Sequence, residues 1–290
     1  MSVPTEHQAA ATAIRPFGVD VPDQALDDLR RRVEATRWPG MELVADASQG
    51  VQLATLQELA RYWASEYDWR RCEAKLNALP QFTTEIDGLD VHFLHVTSPH
   101  ADALPLLITH GWPGSVVELL EVVGPLTDPT AHGGRAEDAF HLVIPSLPGM
   151  GFSTPLSSTD WTLERSARAF DRLMRALGYE SYGAHGSDGG AMLSREQVLA
   201  QVTLYWLTNT SATSTRYHYT EARSGAEPVV SQGRIGVAVF ADDFKTIRAF
   251  AERDNANIQH WAEYPTGGHY AAMEVPDQLV TDIRTFFAQP

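Results

Sequence analysis

Residues 181–192, Ser-Tyr-Gly-Ala-His-Gly-Ser-Asp-Gly-Gly-Ala-Met, constrain this chain more than any other stretch. A short strand, a glycine-packed turn and a helix behind it make an elbow that can hold one reactive side chain on a strained backbone. Two frames compete for that side chain. With Ser187 at the tip, the positions two residues either side are His185 and Gly189, and an imidazole crowds backbone that needs a small residue. With Asp188 at the tip they are Gly186 and Gly190, so sterics select the carboxylate. The plainer alternative is a glycine-rich turn whose aspartate caps the following helix.

The hydrophobic period on either side of this turn fixes the fold class. Residues 82–86 and 89–96 read as a hairpin about the favourable turn pair Asp87-Gly88. Residues 104–109 and 141–144 are continuous apolar runs of the kind buried strands show, ending in the polar stretches 110–115 and 145–153. Helical spacing follows over about 116–123, 162–177 and 193–208. Further strands are predicted at 236–240 and 258–263, with a helix between them through about Arg253 and a closing helix over 276–287. Strands alternating with helices predict an α/β fold with a mostly parallel sheet, covered by helices on both faces, and ligands outside the carboxyl ends of its strands.

Before the first strand lie three helical stretches, from about residue 22, over 52–64 and over 69–79, with Leu26, Leu29 and Val33, then Leu53, Leu56, Leu59 and Trp63, on single apolar faces. They are too few to close a core. They read as an N-terminal helical arm (1–80) laid over an α/β core (81–197 and 232–290), with 198–231 as a separate segment.

Charge and cysteine usage narrow the partners. A formal charge of −15 repels phosphate backbones and anionic head groups, so neither nucleic acid nor membrane is expected as a partner. The single cysteine, Cys72, excludes an internal disulfide framework and a cysteine-rich metal site, and reads as a small packed residue. The start of the chain has no basic head and no apolar run of signal length, which with one cysteine predicts a cytoplasmic protein.

Successive strand ends carry a nucleophile at Asp188, an acid at Asp242 or Asp243, and a histidine at His269, which is the chain order of α/β-hydrolases. His110 is expected to brace its turn by hydrogen bonding, and His185 to be a packed and satisfied core residue. The motifs make the resemblance specific: His-Gly-Trp-Pro at 110–113, Leu-Pro-Gly-Met-Gly-Phe-Ser at 147–153, the elbow with Asp188, the Asp243 loop, and Gly-Gly-His-Tyr-Ala-Ala-Met-Glu at 267–274. The chain resembles an epoxide hydrolase of the α/β-hydrolase fold, microsomal type, over nearly its whole length, arm included.

That resemblance implies a cofactor-free, metal-free hydrolase acting on a small-molecule epoxide, with homo-oligomer formation left open. A carboxylate that attacks an acyl group gains little, whereas attack on a strained sp³ carbon opens the ring and leaves a stable ester. Asp188 would form that ester and His269 would activate the water that hydrolyses it, with Asp243, placed by family register, fixing the imidazole. The backbone N–H groups of Trp112 and Gly189 would stabilise the oxyanion. Two other functions compete: a haloalkane dehalogenase-like hydrolase, disfavoured because Gly189 stands where a halide-binding Trp is needed, and a catalytically silent binding protein.

The chain departs from the family in one region. Epoxide hydrolases of this type carry a further strand and a long helical lid after the elbow helix, and here Ser194–Gln197 runs almost directly into the lid's far end at 202–206: either the lid is lost and 198–231 is its remnant, or 197–202 joins two distant parts of a longer chain, and residues absent from this numbering are expected there. The lid supplies the proton donor to the epoxide oxygen as a Tyr two residues after an Arg. After Arg216 stand Tyr217, His218 and Tyr219; literal register selects His218, whereas the ordinary acidity of phenols favours Tyr217 or Tyr219 through a small local shift.

Overall fold

In the computed structural model, residues 13–46, 48, 50–186, 194–225 and 230–289 are described. Asp188, Ser187 and Gly189 therefore lie outside the described residues.

The chain opens with a two-residue strand β1 (Arg15–Pro16), followed by helices α1 (Asp23–Glu34), α2 (Leu53–Ser65) and α3 (Trp69–Asn77). The α3 helix starts where the Asp68 carboxylate accepts the Arg70 N–H at 3.0 Å. Strands β2 (Gln81–Ile86) and β3 (Leu89–Val96) form the predicted hairpin. Asp87 and Gly88 both take positive φ, 53° and 77°, as a two-residue hairpin turn requires. Then come β4 (Leu104–Thr109), α4 (Leu120–Thr127), β5 (Phe140–Pro145), α5 (Leu163–Ala176) and β6 (Gly183–Gly186). The helix predicted over 116–123 is a 3-10 turn, Val116–Leu119, running into α4. Beyond the elbow lie α6 (Arg195–Thr208), α7 (Ser211–Ala222), β7 (Ile235–Phe240), α8 (Arg248–Asp254), β8 (Ile258–Tyr264), α9 (Ala271–Glu274) and α10 (Pro276–Phe287).

Among the described residues, six strands form one sheet in the order β1-β2-β3-β5-β4-β6; β4 runs parallel to β5 and β6, and the arm-side strands pair antiparallel. Side-chain alternation builds a core on each face. Leu94, Leu106, Ile108, Leu142 and Ile144 point into one core, where the arm contributes Leu26, Trp69, Cys72 and Leu76. Phe93, Leu107 and Val143 point into the other, against Phe170, Leu173 and Met174 of α5. The arm is thus no detachable lobe: it supplies β1 to the sheet edge and part of a core. Cys72 is buried in it, as expected.

Among the described residues the predicted sheet is interrupted. β7 and β8 pair in parallel with each other as a separate two-stranded sheet. The carboxyl-terminal helix α10 spans the break, with adjacent rings on its two sides: a Cβ on Gly183 of β6 would lie 2.5 Å from Phe287, and one on Gly236 of β7 would lie 2.7 Å from Phe286. The crevice between β6 and β7 is lined by Ala184, His185, Arg234, Gly236 and Asp282. Val237, Ala238 and Val239, an apolar run suited to a covered strand, remain partly exposed there. His185 was expected to be satisfied, yet among the described residues its buried Nε2 has no hydrogen-bond partner, because it faces this break.

The segment that was expected to join two distant parts of a longer chain, 197–202, lies within one helix. Ser194 and Gln197 form a capping box at the start of α6, and Asn209 ends it in a left-handed conformation. The boundary drawn at 197 between core and lid remnant therefore falls inside α6.

Candidate active site

The loops after β4, β5, β7 and β8, together with α6 and α7, carry the described residues of the candidate site. After β4, His110 is fully enclosed, and burial pushes its imidazole down to about 4. It is a neutral brace: Nδ1–H donates to the Gly111 carbonyl at 2.9 Å while Nε2 accepts the Leu147 N–H at 3.1 Å, tying the loop after β4 to the loop after β5. The Trp112-Pro113 peptide that follows is cis. A Cβ on Gly114 would sit 1.8 Å from Glu118 Oε2, so a larger residue there would have to displace that carboxylate.

The two helices after the elbow hold this loop from the other side. Tyr205 donates its hydroxyl to the Gly114 carbonyl at 2.9 Å, and Ser115 hydrogen-bonds to Gln201. From α7, Ser214 Oγ accepts the Trp112 indole N–H at 3.2 Å, and Thr213 donates to the Gly149 carbonyl at 2.8 Å. A cleft of about 850 Å³ runs along α6, lined by Val198, Gln201, Tyr205 and Trp206, with Arg32 of the arm on one side and Pro113 and Tyr270 on the other; neither Asp243 nor His269 lines it.

Asp243 and His269 come from the ends of β7 and β8. The Asp242 N–H donates to the Gly267 carbonyl at 3.0 Å, which clasps the two loops together. Gly267 takes φ +91°, and a Cβ on it would lie 2.5 Å from Val275, so backbone and space both require glycine there. This geometry brings the buried imidazole of His269, 7% exposed, to Asp243: Nδ1 lies 2.7 Å from Oδ1, an oxygen that also accepts the Phe244 N–H at 2.7 Å. An Nδ1–H donating to a carboxylate puts the basic lone pair on Nε2. Asp242 is exposed and contributes its backbone.

The three donor candidates on α7 are dispersed. Tyr217 is 5% exposed and turned into the fold, its hydroxyl beside Ser166 of α5, and burial raises its pKa above the ordinary phenol value. Tyr219 is 62% exposed with the Arg223 guanidinium over its ring. His218 stacks edge-on against Trp112, centroids 4.8 Å apart. The literal register position, His218, is thus the one of the three whose ring packs on Trp112. Gln201, Tyr205 and Ser214 were not anticipated from sequence; no motif singles them out.

A parallel sheet with an acid and a histidine hydrogen-bonded at successive strand ends defines an α/β-hydrolase, and the profile of the α/β-hydrolase fold matches residues 105–200. The profile described as the epoxide hydrolase N terminus matches residues 14–119. A Stigmatella aurantiaca protein provisionally named an epoxide hydrolase is 36% identical over 374 aligned positions, covering 95% of this chain and 85% of that protein. Rabbit (Oryctolagus cuniculus) epoxide hydrolase 1 is 37% identical over 185 residues, 62% of this chain but 41% of the rabbit protein. The structure of Aspergillus niger epoxide hydrolase superposes with a TM-score of 0.85 at 27% identity over 97% of each chain. The chain belongs to the epoxide hydrolase family.

Proposed function

We propose that this protein opens an epoxide to a vicinal diol in two steps through an ester on Asp188. In the first, an Asp188 carboxylate oxygen attacks a ring carbon, the carbon–oxygen bond breaks, and the departing alkoxide takes a proton from a donor on α7. In the second, His269 Nε2 takes a proton from water, the hydroxide adds to the ester carbonyl of Asp188, and the tetrahedral oxyanion is stabilised by the N–H groups of Trp112 and Gly189. Collapse releases the diol, the imidazolium returning its proton to the departing alkoxide, and the carboxylic acid left on Asp188 gives up its proton, by way of solvent, to the α7 donor that was deprotonated in the first step. The Asp243 carboxylate stabilises that imidazolium while it lasts.

The single observation carrying this reading is the 2.7 Å pair between His269 Nδ1 and Asp243 Oδ1, held at the strand ends beside the strand that leads to Asp188. Among the donor candidates, contact with Trp112 supports His218. Residues 198–231 are read as what this chain keeps of a lid, which is supported by an alignment to the Stigmatella protein that is longer than this 290-residue chain.

The test is trapping. With His269→Gln and styrene oxide, a mass increment equal to one epoxide should appear on the peptide carrying Asp188 and persist. An unmodified peptide under conditions where the parent turns over would sink the ester route.

A further inference from the structure

Glu274 closes the run 267–274 and has no part in the two steps above. Its carboxylate accepts two backbone hydrogen bonds: Gly268 N–H to Oε2 at 3.0 Å and Tyr270 N–H to Oε1 at 3.0 Å. These are the amides immediately before and after His269. One bond alone, to Tyr270, would be an ordinary cap for the short helix α9, whose first residue is Ala271. The bond to Gly268 lies outside that helix and does nothing for it. Burial, with Asp242 and Asp243 nearby, raises the pKa of this carboxyl group, and the two backbone N–H groups oppose that shift.

We propose that Glu274 is a positioning residue for His269, gripping the backbone on both sides of the base so that Nε2 keeps its aim at the hydrolytic water. Asp243 fixes the ring, its rotation and its tautomer; Glu274 fixes the peptide that carries the ring. The inference rests on the two-step reading above and deepens it, since a device that acts through His269 affects ester hydrolysis and leaves ester formation alone. A residue that merely holds the fold together would slow both steps alike.

The side-chain chemistry dictates the variants. Glutamine offers one carbonyl oxygen and one NH₂, so in Glu274→Gln a donor must face one of the two backbone donors. Glu274→Asp keeps the charge but, one methylene shorter, reaches one amide at a time. Single-turnover kinetics with styrene oxide, following the adduct on the Asp188 peptide by mass, separate the steps. For Glu274→Gln, alkylation should stay within about twofold of the parent while hydrolysis slows about ten- to a hundredfold and adduct accumulates. Glu274→Asp should recover part of the hydrolysis rate. Equal slowing of both steps, or unchanged hydrolysis, overturns the proposal. If the glutamine variant does not fold, the two rates are compared in Glu274→Asp instead: slowed hydrolysis with retained alkylation supports the role, and equal slowing or no change overturns it. His269→Gln is run alongside. Adduct in that variant with none in Glu274→Gln refutes the role of Glu274 alone, whereas no adduct in His269→Gln refutes the two-step reading and this proposal with it.

Discussion

Asp243 Oδ1 takes two hydrogen bonds at once, from His269 Nδ1 and from the Phe244 N–H, each at 2.7 Å. The second bond aims the carboxylate for the first. In Asp243→Asn the amide oxygen can keep both contacts, but the charge that stabilises an imidazolium is gone. Ester hydrolysis should fall by about a hundredfold or more with alkylation retained. Asp242→Asn, an exposed neighbour that works through its backbone, should change hydrolysis by less than about threefold. Single-turnover rates in the two variants check this, and the reverse order would move the acid to Asp242.

The donor on α7 is identified by substitution. With His218 against Trp112, alkylation should drop by about a hundredfold or more in His218→Gln. Tyr217→Phe and Tyr219→Phe should be close to parent in rate. Loss confined to a tyrosine variant would return the role to that tyrosine.

Three enclosed imidazoles predict acid sensitivity. Burial lowers His92 to about 3, and His110 and His185 to about 4. Each folded value lies below the unfolded one near ~6.5, so the unfolded chain binds protons that the folded chain refuses. Their contribution to stability is complete above the unfolded value and is lost as pH falls from there towards 4. Denaturant midpoints should fall across that window, with the pH slope near 5 reporting uptake of about two to three protons on unfolding. A flat midpoint over the same range would contradict the assignment of these groups as neutral.

The break between β6 and β7 makes α10 a structural bridge. Gly183→Ala would push a methyl group to within 2.5 Å of the Phe287 ring. The ring cannot yield without moving against Phe140, its edge-on neighbour at 5.7 Å. Overpacking of this kind costs about 1–3 kcal/mol, measurable by urea unfolding. Gly178→Ala meets no neighbour but forces φ +90° on a residue with a Cβ, and so separates strain from clash. An unchanged midpoint for Gly183→Ala would contradict the packing of α10 beneath β6.

Much of this architecture was legible because its signals are local. Asp87-Gly88 specified a hairpin, apolar runs specified β4 and β5, and Thr162, whose hydroxyl caps the Arg165 N–H at 3.2 Å, marked the start of α5. The pairing of Asp243 with His269 followed from chain order and family register together. What could not be read was non-local. β1 is two residues of sheet edge with no periodicity to detect. α7 is a Ser/Thr-rich helix whose buried positions are Ser214 and Tyr217, so no apolar stripe announces it. The sheet break, by contrast, agrees with the further strand read as missing after the elbow helix, since among the described residues β7 and β8 do not join the sheet that ends at β6. Glu274 was visible in the run 267–274, but its meaning needed the two amides it meets.

Everything in the reaction scheme depends on the carboxylate of Asp188 entering the product, and the isotopic fate of water decides it. With enzyme in excess over styrene oxide in H₂¹⁸O, a single turnover should give diol free of ¹⁸O and place the label in the peptide carrying Asp188. The attacking oxygen then comes from the side chain, and water only replaces it during ester hydrolysis. Asp188→Asn should form no ester, whereas Ser187→Ala should label as the parent does. Diol carrying ¹⁸O after the first turnover, with an unlabelled Asp188 peptide, would mean direct attack by water and would contradict the account.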